Sequence, residues 1–481
     1  MHKLRTATVL VLAGLMLAPS VAGSAEGDCP QPARRAGTLQ WPAPAGSKAI
    51  DIAHFGEAHW NEGQGPLTMP ILAQDLVRTD PDLLLFSSDI ADIGTPDRLG
   101  CFRRIMSPID GAGIPWFGSP GNHDRVAFAG PGGVANGAIE IWRTVFASMP
   151  APWGDRGAPG RAFLVPEGEP DDGEGASTHY FFDYAPRGKR LLRVIVLDNS
   201  QQSLTSSDAD QYPSVGPGEK DGGQLAFLAR VAGDAQDKGL HTWVVMHQPT
   251  QDPRDPSNVH PVSINHTMGK GASSDNAAFD AIAQLTGIDV VLLGHIQGNA
   301  LYGLGDTEYF IDGGGGGSPY ALHSVGTDTG YYYGYRLFRL NPADGAYRTY
   351  FIPLIDRIKV EGPREVKVGE TIALTATATQ PFDPDLPPRL AAVPNEAITL
   401  ELRPPTDEGR VPRLAYMWQS GNSDVLKPSG DEAIDPKGDD AFDPATMTMT
   451  GRFEAVRPGV ATISILSGTR RATIRIRVMP R

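Results

Sequence analysis

Between residues 50 and 120 the chain alternates short apolar runs with stretches of helical spacing. Residues 50–55 form the first run, Leu83, Leu84, Leu85 and Phe86 the second, and Ile114, Trp116 and Phe117 the third. Short apolar runs bounded by polar residues suit strands buried on both faces. Between the first two, Ile71, Leu72, Leu76 and Val77 share one face of a helix, which Asp80-Pro81 ends. A second helical stretch covers residues 98–106. The order strand, helix, strand, helix, strand predicts right-handed crossovers and a sheet containing parallel strands.

The pattern breaks at residues 130–137 and 155–175, where glycine, proline and acidic residues predict long loops. It resumes as strands at 179–184 and 191–197. Gln224, Leu225, Phe227, Leu228 and Val231 then mark an amphipathic helix closed by Lys238-Gly239. A strand at 242–246, a helix at 276–285 and a strand at 288–293 follow, and Tyr309-Phe310-Ile311-Asp312 runs into the glycines 313–317. From residue 357 the texture changes. Short alternating stretches at 359–360, 371–375, 398–400, 460–466 and 472–478, separated by Pro, Gly and Asp, predict a separate all-β sandwich.

A chain of 481 residues with 40% hydrophobic content has room for more than one domain and a sizeable core. The net charge of −14 argues against nucleic acid or an anionic membrane held by a general basic surface. A phosphorylated substrate stays compatible, because bound dications reverse the local field. At the N-terminus, Lys3 and Arg5 precede an apolar run over residues 7–18 and the small residues Ala22-Gly23-Ser24-Ala25. That layout predicts a cleaved secretory signal peptide and a periplasmic or secreted protein with no membrane span after cleavage. Cys29 and Cys101 are the two cysteines. In an exported chain they can join, tying a Pro- and Gly-rich tail to the main domain, or stay free.

Candidate chemistry lies where the apolar runs end. Glu57 and His59 follow the first, Asp89 the second, and Asn122-His123-Asp124 the third, while His247 and the pair His295 and Gln297 follow two later ones. In an α/β sheet, ligands bind at the carboxyl ends of strands, so side chains distant in sequence can converge there. Oxygen donors mixed with imidazoles suit zinc, manganese or iron, and one carboxylate can bridge two ions. His54 reads as a core histidine, and Asp51 as mid-strand. His260, His266, Asp92 and Trp60 are secondary candidates. The glycine run lacks the Lys-Ser/Thr of a phosphate-binding loop and predicts a turn that brings backbone close to the site. Ser88 and Ser119 lack a recognisable nucleophile elbow, which argues against a serine mechanism.

In this order the blocks resemble the calcineurin-like metallophosphoesterase superfamily, whose motifs are D-x-H, G-D, G-N-H-[DE], a lone His after a strand, and G-H-x-H. The resemblance covers roughly residues 49–353 and rests on Gly121-Asn122-His123-Asp124, His247 and Gly294-His295. It implies that Asp89 bridges two metals and that Asn122, His247 and His295 hold the second. It also implies that His123 acts on the leaving group or phosphate without binding metal, with Asp124 orienting its ring. Three departures fall on the first metal: Glu57 for the aspartate of D-x-H, Ser88 for the glycine of G-D, and Gln297 for the last histidine. Met417-Trp418 and Pro458-Gly459-Val460 resemble bacterial immunoglobulin-like domains.

The resulting expectation is an α/β fold, a metallophosphoesterase-type β-sandwich of mixed sheets flanked by helices, followed by a small all-β immunoglobulin-like sandwich. The expected boundaries are 1–25 signal peptide, 26–47 linker, 48–355 phosphoesterase and 356–481 sandwich. The expected activity is hydrolysis of small phosphate mono- or diesters by in-line attack of a metal-bound hydroxide, with two ions of Mn, Zn or Fe as cofactors. The rival expectation is a non-catalytic surface or binding protein on a degenerate phosphoesterase scaffold, motivated by Glu57, Gln297 and the appended sandwich.

Overall fold

The structure, a computed structural model, describes residues 29–30, 50–61, 65–125, 127–128, 134–135, 138–146, 179–184, 191–200, 223–250, 274–317, 333–341, 344–354, 357–379, 413–414, 416–420, 422, 424–428, 442–443, 448–467 and 470–481. The signal peptide, most of the tail, His260, His266 and the stretch 398–400 lie outside them.

Strands β1 (Ile50–Gly56), β2 (Leu83–Ser87) and β3 (Trp116–Ser119) come first, separated by α1 (Gly65–Thr79), α2 (Pro96–Ile105) and α3 (Ser107–Gly111). After them come the short β4 (Ala127–Phe128) and β5 (Val134–Ala135), paired with each other, then α4 (Ala138–Phe146), β6 (Tyr180–Tyr184) and β7 (Leu192–Val196). Next are α5 (Gly223–Asp237), β8 (His241–Val245), α6 (Ser274–Thr286), β9 (Val290–Leu293), β10 (Asn299–Leu304), β11 (Thr307–Asp312), β12 (Gly334–Leu340) and β13 (Tyr347–Pro353).

Local chemistry explains several boundaries. Thr95 caps α2 by accepting from the Arg98 N–H, with Pro96 in the first turn and Arg103 and Arg104 in the last, as the helix dipole favours. Gly239, at φ +65°, closes α5 in the left-handed conformation that only glycine adopts cheaply.

The strands form two six-stranded sheets, β13-β12-β1-β2-β3 with the short β17 (Arg413–Leu414) beside β13, and β10-β11-β9-β8-β7-β6. Both are mixed. The β1-β2-β3 and β7-β8-β9-β11 pairings are parallel, as the crossovers predict, whereas β12, β13, β10 and β6 add antiparallel margins that the sequence pattern did not reveal. Side chains alternate along the second sheet. Val194, Trp243, Val245 and Leu292 join the core shared with the first sheet, while Ile195, Val244, Val291 and Leu293 pack with Leu228 of α5 and Phe279 of α6. Burial on both faces is why these strands read as continuous apolar runs.

Beyond residue 356, β14 (Arg357–Glu361), β16 (Thr371–Thr379), β21 (Thr448–Ala455) and β19 (Leu426–Pro428) make one sheet, with β20 (Phe442–Asp443) on β21. A second sheet consists of β15 (Glu365–Lys367), β23 (Arg470–Met479), β22 (Gly459–Ser467) and β18 (Tyr416–Ser420). Leu374 and Phe453 from the first share one apolar core with Ile463, Ile465 and Ile476 from the second.

Cys29 and Cys101 are joined, which pins the start of the chain to α2. The bridge closes a loop of 72 residues, worth about 4 kcal/mol in the chain-entropy model. Replacing both cysteines by alanine is expected to cost about 2–4 kcal/mol in a denaturant titration. A change within error would show that the link does not restrain the unfolded chain.

Candidate metal centre

Each predicted site residue stands just past a strand end: the ligands Glu57 and His59 after β1, Asp89 after β2, Asn122 after β3, His247 after β8, and His295 and Gln297 after β9, with the catalytic candidate His123 following Asn122. The backbone bends sharply there. Among the described residues, five non-glycine residues have positive φ, and four of them are Glu57 (56°), His59 (35°), Asp89 (55°) and His295 (62°). Left-handed conformations cost non-glycine residues of order 1–3 kcal/mol, and they collect where function requires an over-determined geometry.

The side chains converge. His247 Nε2 lies 2.9 Å from Asn122 Oδ1, 3.1 Å from His295 Nδ1 and 3.3 Å from Asp89 Oδ2. The same Asp89 oxygen is 3.7 Å from His59 Nε2, which in turn is 3.2 Å from Glu57 Oε2 and 3.2 Å from Gln297 Nε2. One carboxylate oxygen therefore stands between two donor sets. Asn122 is half-buried; the other six are buried. Gly121 is required by space, since a Cβ there would collide with the Asp89 carboxylate.

These residues fit a pair of cations. Ligands about 2.1 Å from a common ion are separated by roughly 3.0 Å in octahedral and 3.4 Å in tetrahedral geometry, close to the 2.9, 3.1 and 3.3 Å spacings around His247 Nε2. Two carboxylates are buried side by side without a lysine or arginine among the converging groups. Burial and then the Asp89 charge push the Glu57 carboxyl up. Burial would also raise Asp89, but His247, His123 and His59 outweigh it and hold it low. For His247, burial lowers the pKa, but the Asp89, Glu57 and Asp124 carboxylates together outweigh it and raise it. The Asp89, His247 and His295 donors and the Glu57, His59 and Asp89 donors each gather closely enough to hold an ion.

The first set is the less complete. Gln297 turns its amide nitrogen toward His59, and a half-turn of the amide would present oxygen instead. Its second role is evident in the contact itself, which holds the His59 ring. Gln297→His is expected to tighten the first ion by on the order of 10-fold, the scale at which metal-site neighbours act. A manganese titration that shows no change would remove Gln297 from the ligand set.

His123 lies beside the first set, its ring centroid 4.9 Å from that of His59. Its backbone N–H donates to Asp89 Oδ1 at 2.8 Å. Its Nδ1 donates to the Asp92 carbonyl at 3.0 Å and lies 3.4 Å from the Asp92 carboxylate. Burial lowers its pKa, but Asp89 and Asp92 outweigh that and raise it to about 9.

Asp124 does not orient this ring, contrary to expectation. Its carboxylate is buried and accepts from the backbone N–H groups of Gly121, Ile90 and Ala91 at 2.9, 3.0 and 3.3 Å. It ties the β2 and β3 exits together, and burial with the Asp89 charge lifts it to about 7. Sequence adjacency favoured Asp124, yet the helical turn at His123–Arg125 sends the two side chains apart. Asp92, three residues past Asp89, is the partner.

Other residues went unread. Asn199 clamps the His247 turn, accepting from the N–H groups of His247 and Gln248 at 2.9 Å each and donating to the Gln248 carbonyl at 2.7 Å. A polar residue just past β7 was the available signal. Trp60 is partly buried against the main core and donates its indole N–H to the Arg98 carbonyl. The glycine run does approach the site: Gly315 donates to the Gly56 carbonyl, and Gly316 and Gly317 donate to that of Glu57.

Residues 50–298 match the calcineurin-like phosphoesterase family. The chain belongs to that family. Curated proteins give no match. Among solved structures it is similar to GAP50, the anchor in the inner membrane complex of Plasmodium, at 15% identity over 63% of this chain and 84% of that one, with a TM-score of 0.38. It is similar also to purple acid phosphatase PPD1 from yellow lupin (Lupinus luteus) seeds, at 14% identity and a TM-score of 0.38. That match covers 71% of this chain and 53% of the other, so the phosphoesterase spans about half the length of the lupin protein. Phosphopantetheinyl hydrolase from Mycobacterium tuberculosis matches at 11% identity over 55% of this chain and 88% of that one, with a TM-score of 0.30. Among the described residues, no helix of this calcineurin-like phosphoesterase is long and apolar enough to cross a membrane.

Proposed function

We propose that the chain is an exported dinuclear metal-dependent phosphoesterase acting on small phosphate mono- or diesters. The observation that carries this reading is the Asp89 oxygen standing between His247 and His59, with each ring at the head of its own donor set. Glu57, His59, Asp89 and Gln297 would hold one ion, and Asp89, Asn122, His247 and His295 the other. When bound, such cations lower the pKa of water from about 15.7 to about 7 and offset the charge of a phosphoryl group. His123 keeps a proton at the rim beside the first set, and Asp92 fixes its ring through Nδ1, leaving Nε2 for the departing oxygen. The strained turns hold these groups in place before substrate arrives. The Cys29–Cys101 bridge supports export, and we read the C-terminal strands as an immunoglobulin-like spacer.

The second reading, a binding protein on a degenerate scaffold, is favoured by the neutral Gln297 amide standing beside His59 where the family motif has a histidine. One experiment separates the two. Metal analysis of the purified protein should find two ions per chain. A chromogenic phosphate mono- or diester should be hydrolysed with Mn, Zn or Fe, and His123→Ala should lower kcat by roughly 10²–10⁴-fold. A fully loaded protein that turns over neither ester would favour the second reading.

A further inference from the structure

A chain of buried polar side chains runs beneath the metal centre. His54 Nδ1 lies 2.8 Å from Asp312 Oδ2, and His54 Nε2 lies 3.0 Å from Ser87 Oγ. Arg336 grips Asp312 from the other side, with Nε 2.8 Å from Oδ1 and Nη2 2.7 Å from the same oxygen. The order hydroxyl, imidazole, carboxylate is that of a hydrolase triad. All four residues are 0% exposed, so no substrate reaches this serine.

We propose that Ser87, His54, Asp312 and Arg336 form a positioning relay that sets the backbone of the metal-bearing turns; the proposal rests on reading those turns as a metal centre. Ser87 sits where three strand exits meet. A Cβ on Gly56 would stand 2.5 Å from the Ser87 carbonyl oxygen and 2.7 Å from its hydroxyl. One on Gly294 would stand 3.1 Å from that hydroxyl and 2.9 Å from Glu57 Oε1. Backbone therefore packs on backbone around Ser87, and the residues just beyond are Glu57, Asp89 and His295, three of the left-handed positions. His295 also donates its N–H to Glu57 Oε1 at 2.5 Å, linking two of these turns.

The relay spans the interface between sheets. Ser87, His54 and Arg336 belong to the first sheet and Asp312 to the second. Glu57, His59, Asp89 and Asn122 follow strands of the first sheet, while His247, His295 and Gln297 follow strands of the second. The bond from His54 to Asp312 thus fixes the separation of the two halves of the ligand set. With Nδ1–H donating to Asp312, Nε2 accepts from the Ser87 hydroxyl, and Arg336 balances the carboxylate, so the relay is electroneutral and every step has a partner.

The test uses cobalt(II), because its visible spectrum reports coordination geometry without any phosphate ester. Ser87→Ala removes one oxygen and leaves the backbone. His54→Leu removes the relay centre, and His54→Gln restores a donor for Asp312 and an acceptor for Ser87. Ser87→Ala and His54→Leu are expected to weaken cobalt binding by about 10–100-fold, with a changed spectrum, and His54→Gln to recover most of it. Were His54→Leu not to fold, Ser87→Ala still decides. Wild-type affinity and spectrum in Ser87→Ala would overturn the proposal, whatever happens to the melting temperature. Labelling of Ser87 by a fluorophosphonate would overturn it too, by showing an accessible nucleophile. A wild-type protein that binds two cobalt ions yet hydrolyses no ester sinks the phosphoesterase reading alone, whereas one that binds none sinks both.

Discussion

Asp89→Asn is expected to empty the metal centre and to lower phosphoesterase turnover at least ~10³-fold, the scale of losing about 4 kcal/mol of transition-state stabilisation. The substitution is close to shape-neutral. Asparagine tolerates the left-handed conformation that Asp89 adopts at φ 55°, and its amide oxygen can still accept from the His123 N–H. What disappears is the negative charge that stands 3.7 Å from His59 Nε2 and 3.3 Å from His247 Nε2 through a single oxygen, whereas Glu57 meets the two rings through different oxygens and reaches His247 at Nδ1. Metal analysis should therefore fall from two ions toward none while the far-ultraviolet circular dichroism stays unchanged. Retention of both ions with full turnover would show that the centre is not organised around this residue.

Arg336→Ala is the change expected to cost most in stability, about 3–5 kcal/mol, because it leaves a buried carboxylate without its counter-charge. Burial alone would raise the Asp312 pKa, but Arg336 and His54 outweigh it and hold it below the ordinary value of 3.8. A carboxyl with a lowered folded-state pKa contributes stability above its unfolded value and loses it as pH falls through the folded one. The wild-type contribution of Asp312 is thus present at neutral pH and fades below 3.8. In the variant, Asp312 takes up a proton at higher pH and the penalty shrinks. Denaturant titrations at neutral and acid pH should show the gap between the two proteins narrowing as pH falls. A gap that is small and pH-independent would mean that the pair carries little of the fold.

The elements that hold the candidate ligands were legible because each central strand is buried on both faces and ends abruptly in polar residues. Leu83–Ser87 leading to Asp89, and Val290–Leu293 leading to His295, show a strand and its cargo in a single glance along the chain. Contacts that depend on tertiary placement were not legible. Asp312 lies 258 residues from His54, and nothing in either neighbourhood points to the other. Asp124, next to His123 in the matched motif, was the expected partner of that ring and Asp92 was read only toward the first metal, and a single helical turn puts Asp92 beside His123 instead. The antiparallel β12 and β13 went unread because Gly334–Leu340 and Tyr347–Pro353 mix polar and apolar residues without strict alternation.

The left-handed ligand residues also carry a consequence for engineering. Glycine relieves such a backbone at no steric cost, so a library of this protein selected purely for heat resistance should gain glycine at 57, 59, 89 and 295. The sturdiest clones from such a screen would be the ones that had discarded the ion-holding side chains, and only a sort that also demands metal retention would keep them.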